Sequence, residues 1–146
     1  MAIEISPSIK NQMLEHATQS FPHECCGFII GSLGEHNMAI GHYYYPCQNQ
    51  RLGANQQRRF LIDPLVYQQV EDEADALGLM IVSIVHSHPN HCDLASEFDR
   101  KHAWPGISYI IISVFDGRVY SYSSWRLRDD RSEFTADNIT IRRVEQ

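Results

Sequence analysis

The chain has 146 residues, close to the roughly 150 of one domain, and 43% hydrophobic, 10% aromatic and 21% charged residues make a globular composition that excludes disorder and collagen-like repeats. Twelve Lys and Arg against 18 Asp and Glu leave a net charge of -6, which repels a phosphate backbone and argues against nucleic acid as the main partner. The longest apolar runs, Leu77 to Val82 and Tyr109 to Ile112, fall far short of the roughly 20 residues that cross a bilayer, and Met1 to Ile5 carries no secretion signal, so a cytoplasmic protein without membrane contact is expected.

Ser6-Pro7 predicts an N-cap followed by a helix over about 7–20, with Ile9, Met13, Leu14 and Ala17 at helical spacing until Pro22 stops it. Cys26 to Ile30 and Ala39 to Tyr45 read as strands joined near Ser32 to Asn37. Gln48 to Arg59 is polar and aperiodic, a loop, and Phe60 to Ile62 a short strand. Asp63-Pro64 repeats the cap-and-proline device and opens a helix whose apolar stripe is Val66, Val70, Ala74 and Leu77. Leu79 to Val85 is almost continuously apolar, the pattern of a central strand covered on both faces. Tyr109 to Val114, an Asp116-Gly117 turn and Val119 to Tyr122 predict a hairpin, with Phe134 and Ile139 to Val144 as late edge elements. No internal repeat or second domain boundary is visible, so residues 1–146 are expected to form one domain. Cys25 and Cys26 are adjacent and no C-x-x-C pair occurs, so free thiols are expected.

The central strand runs directly into His86-Ser87-His88-Pro89, followed by Ser96-Glu97-Phe98-Asp99. Residues two apart on a strand face the same way, so His86 and His88 offer two imidazoles to one point while Ser87 faces away. Pro89 forces a turn, after which Ser96 caps a short helix with Asp99 at its capping-box position, a third and anionic ligand for the same point. Two imidazoles, one carboxylate and a vacancy fit catalytic zinc, which needs an open position to activate water. A general base is still required. Glu24, just before the Cys26 strand, is the candidate, and sequence separation leaves its distance from the histidines open.

Glu24, His86-x-His88-Pro89, six residues, Ser96, two residues and Asp99 together resemble the JAMM, or MPN-plus, family of zinc peptidases and deubiquitinating enzymes, from about Pro22 to Ser124. The resemblance implies an α/β single domain, a mixed β-sheet flanked by helices in a cytidine deaminase-like architecture. It implies Zn2+ held by His86, His88 and Asp99, Glu24 as the base and Ser96 as oxyanion stabiliser. Small prokaryotic members resemble peptidases that trim residues beyond the C-terminal Gly-Gly of a ubiquitin-like sulfur-carrier protein, the implied partner. Ala95 replaces a proline common in relatives, and His91-Cys92 places a further potential ligand or oxidisable thiol in the loop.

Two other readings stand beside this one. A non-catalytic MPN-type binding or scaffold module for a ubiquitin-like partner has no need of the full Glu24, His86, His88, Ser96 and Asp99 set. Zinc deamination calls for His-x-Glu and Pro-Cys-x-x-Cys, neither of which occurs. Strand edges permit a homodimer, and Arg51, Arg58 and Arg59 are the expected docking patch for an acidic carrier.

Overall fold

The computed structural model describes residues 2–47 and 64–142, apart from the side chains of Asn37, Glu97, Phe98 and His102. The expected loop over 48–59 with its arginine patch, the strand over 60–62, the Asp63 cap and residues 143–144 lie outside them. The described chain runs β1 (Ala2–Ile5), α1 (Pro7–Ser20), β2 (Cys26–Leu33), a 3-10 turn (Glu35–Asn37), β3 (Met38–Cys47) and α2 (Pro64–Ala76). It continues through β4 (Met80–Pro89), α3 (Glu97–His102), β5 (Ser108–Phe115), β6 (Arg118–Leu127) and β7 (Phe134–Ile141).

Helix α1 begins where its cap dictates: the Ser6 hydroxyl accepts from the Ile9 N–H at 3.1 Å, Pro7 supplies the first turn, and Ile9, Met13 and Ala17 are buried. In α2, Val70 and Ala74 are buried as the stripe requires. Leu77 is not. The helix ends at Ala76 and Gly78 turns the chain at φ 72°, so Leu77 leaves the helical period and stands 65% exposed.

The hydrogen-bonded strand order is β1-β3-β2-β4-β5-β6-β7, and β7 returns to β1, so the sheet closes into a barrel. The α/β expectation holds, but the expected mixed sheet flanked by helices is corrected: the sheet is a closed barrel of seven strands. Closure comes from β1, a segment too short for its alternation to announce a strand, which pairs in parallel with both β3 and β7. Ile3 and Ile5 are fully buried in consequence. Strand β7 is one element from Phe134 to Ile141, and it is no edge, because β6 and β1 flank it. Asp116 (φ 50°) and Gly117 (φ 79°) make the tight β5–β6 turn, which needs positive φ at both positions.

Two apolar clusters cover opposite faces of β2, β4 and β5. One holds Ile29, Val85 and Ile112 with Ile9 and Met13 of α1. The other holds Phe28, Ile30 and Ile84 with Val70 and Ala74 of α2. Each such buried side chain contributes about 1.5–3 kcal/mol of transfer free energy, so the three strands are the rigid base of the molecule. Among the described residues no helix is long and apolar enough to cross a membrane.

Candidate metal and catalytic centre

Strand β4 does not stop at Val85 but continues to Pro89, with His86, Ser87 and His88 all buried. Pairing continues on both sides: His86 lies opposite Cys26 of β2, and His86 to Pro89 lie opposite Ile111 to Val114 of β5. The two-residue period does the rest. Cys26 belongs to the α2-side cluster, which puts His86 and His88 on that face, and Cys25 belongs to the α1-side cluster with Val85. Glu24, one residue further back, is on the histidine face and only 3% exposed. A carboxylate oxygen of Glu24 and one ring nitrogen each of His86 and His88 all lie within 4.8 Å of one another.

Asp99 reaches the same point by a pinned loop. Asn90, at φ 55°, donates its N–H to the Val114 carbonyl at 2.6 Å and accepts from the Asp116 N–H at 3.1 Å. The Ser113 hydroxyl donates to the His91 carbonyl, and the Asp93 carbonyl accepts from the Ser123 hydroxyl (3.0 Å) and Trp125 Nε1 (2.9 Å). Ser96 then opens α3 with a full capping box: its hydroxyl accepts from the Asp99 N–H at 3.1 Å and its N–H donates to Asp99 Oδ2 at 2.7 Å. The box forms with Ala95 in place of the common proline.

The Asp99 carboxylate spans the two rings. Oδ1 is 3.1 Å from His86 Nε2 and Oδ2 is 3.4 Å from His88 Nε2. His88 Nδ1 lies 2.7 Å from the Cys92 carbonyl oxygen, which only accepts, so Nδ1 carries the proton. In a neutral His88 the lone pair is then on Nε2, facing another acceptor, and a cation belongs between the two. Tetrahedral zinc with bonds of about 2.0–2.1 Å sets its ligand atoms about 3.3 Å apart, and the two observed spacings bracket that value. The donor set is one that could hold a metal ion.

Charge favours the same occupant. Burial lowers the His86 imidazole below its ordinary pKa, against the pull of Asp99. Burial would raise the Asp99 carboxyl, but the neighbouring His86 and the Ser96 N–H outweigh it and hold it well below the usual carboxylate range. The four cysteines are free thiols, as expected. Burial pushes the Cys25 thiol up to about 11 and Cys26 higher still, so both are inert. Cys92 is exposed, its sulfur 3.6 Å from His91 Nδ1, and it meets His88 through its carbonyl alone.

Sequence reasoning missed the loop anchors Ser113, Ser123 and Trp125. Ser113 leaves one trace, a polar residue interrupting the run Ile110 to Val114. The anchoring depends on β5 and β6 lying beside β4, which local pattern does not reveal.

Residues 6–128 match the profile of the family described as prokaryotic homologs of the JAB domain. Among characterised proteins, the desampylase of Haloferax volcanii is 28% identical over 123 residues, 84% of each chain. Tail tip assembly protein K of Escherichia phage N15 is 32% identical over 88 residues, 60% of this chain, which spans 31% of that protein's length. The solution structure of a Salinibacter ruber protein superposes with a TM-score of 0.74 at 30% identity, covering 95% of this chain and 91% of the other. That of a Desulfitobacterium hafniense protein gives 0.81 at 24% identity over 96% and 92%, a likeness of fold. With the match extending from before Glu24 to beyond Asp99, the chain belongs to the prokaryotic JAB-domain family, the JAMM-type group that its motif resembles.

Proposed function

We propose that the protein is a zinc-dependent peptidase that hydrolyses a peptide or isopeptide bond beyond the C-terminal Gly-Gly of a ubiquitin-like carrier, of the sulfur-carrier type. The carrying observation is the convergence of His86, His88 and the Asp99 carboxylate, at zinc-like spacing, with Glu24 within reach of both rings. A relative named as a desampylase that aligns with 84% of the chain supports a ubiquitin-like protein as partner.

In this reading His86, His88 and Asp99 hold the metal. Zinc, when bound, supplies Lewis acidity that lowers the pKa of water and polarises a carbonyl. Glu24 takes the proton of the attacking water as its oxygen bonds to the scissile carbonyl carbon, and later delivers that proton to the departing amine as the C–N bond breaks. The Ser96 hydroxyl already accepts from the Asp99 N–H, which leaves its own proton to donate to the developing oxyanion. A Gly-Gly tail lies extended where side chains do not fit.

Incubating zinc-loaded and chelated protein with ubiquitin-like carriers extended beyond Gly-Gly, and reading intact masses, tests this. Loss of the extension, abolished by chelation, is the expected result. No loss with any carrier overturns the enzyme reading in favour of a binding module.

A further inference from the structure

We propose that Ser87, the residue between the two histidines, is a positioning residue that fixes Glu24 relative to the metal ligands. The inference rests on the hydrolase reading above and deepens it.

The β2–β4 ladder ends in register at Cys26 opposite His86. One residue earlier the backbone of β2 is no longer strand, yet Cys25 is buried and its N–H needs an acceptor. Ser87, itself fully buried, provides it: its hydroxyl oxygen accepts from the Cys25 N–H at 2.8 Å, while its own N–H donates to the Cys25 carbonyl at 3.1 Å. Cys25 and Ser87 are thereby locked in a reciprocal clamp, half backbone and half side chain, that carries the pairing past its last regular rung. The clamp lies on the α1 face, opposite the histidines, so Ser87 does not face the reacting atoms. What it fixes is the peptide unit that joins Cys25 to Glu24, and with it the spacing of the Glu24 carboxylate from the imidazoles on either side of Ser87. An apolar side chain leaves the Cys25 N–H without its acceptor and frees the segment before β2, whereas the ligands, held by β5 pairing and the capping box, stay in place.

The test compares zinc-loaded wild type, Ser87→Ala and Ser87→Thr on a carrier extended beyond Gly-Gly, with zinc content and amide exchange at Cys25 measured on the same samples. Expected for Ser87→Ala are wild-type zinc content and KM, a kcat lowered about ten- to a hundredfold by the misplaced base, and faster exchange at Cys25. Ser87→Thr, which keeps the hydroxyl, restores both. Full kcat in Ser87→Ala overturns the proposal, as does loss of zinc in parallel with kcat or failure of threonine to restore. If the wild type cleaves no carrier, the hydrolase reading falls, and unchanged Cys25 exchange in Ser87→Ala then overturns the clamp as well.

Discussion

Glu24 and Gly27, three residues apart, show how differently two neighbouring positions are fixed. Gly27 is dictated by packing: a Cβ there would run into the ring and hydroxyl of Tyr44, so the chain beside the candidate base must be bare. Glu24 is the proposed proton acceptor, and that assignment is separable from metal binding. Glu24→Gln keeps the shape and the three ligands but removes the proton acceptor. Zinc content is expected to stay at the wild-type level while kcat falls about 10²- to 10⁴-fold, read by metal analysis and carrier cleavage. Residue types and spacing made His86, His88, Ser96 and Asp99 legible, because a two-residue step on a strand and a three-residue capping box are local geometry. The distance of Glu24 was not legible. It is set by β2 pairing with β4 across the sequence, and no local pattern encodes that register.

Elements whose ends are governed by steric devices were the readable ones. Helix α1 spans Pro7 to Ser20 as Ser6, Pro7 and Pro22 dictate, whereas α2 loses Leu77 because a stripe alone does not mark where a helix stops. Helix α1 is further tied to β3 by His16, whose Nδ1 lies 2.6 Å from the Tyr44 hydroxyl. Burial lowers the His16 pKa below the ordinary 6.5 and holds the Tyr44 hydroxyl protonated, so a phenol donates to a neutral ring. Above pH 6.5 this contribution is fully present, since folded and unfolded chains are both neutral at His16. As the pH falls through 6.5 the unfolded chain takes up its proton first, and stability is lost until the folded ring titrates. His16→Gln should flatten that acid slope in denaturant titrations run from pH 7 to 5, and an unchanged slope would exclude the assignment. Helix α3 invites a similar separation of roles. Glycine is nearly as good an N-cap as serine, costing a few tenths of a kcal/mol, but has no hydroxyl. Ser96→Gly should therefore melt close to wild type and yet lose roughly 10²- to 10³-fold in kcat, the effect of removing one oxyanion donor.

For the whole molecule, the feature that sequence pattern conceals is closure. Four residues with two isoleucines carry too little periodicity to mark a strand, and one of their two partner strands, β7, is more than a hundred residues away. That strand nevertheless seals the barrel. Ile3→Ala opens a cavity at a fully buried position and is expected to cost about 2–5 kcal/mol, measured by chemical denaturation, while zinc binding by the folded fraction is expected to persist because the proposed ligands sit on β4 and α3.

The β1–β7 seam also orders events in time. Ala2 leaves the ribosome long before its partner Asn138. One flank of β1 can meet β3 early, but the other must wait, keeping an apolar strand with one open side until β7 has been made. Strand β4, which bears His86 and His88, and the segment that leads from Glu24 into β2 are complete well before that, so the nascent chain can assemble its histidine face while the barrel behind it is still unsealed.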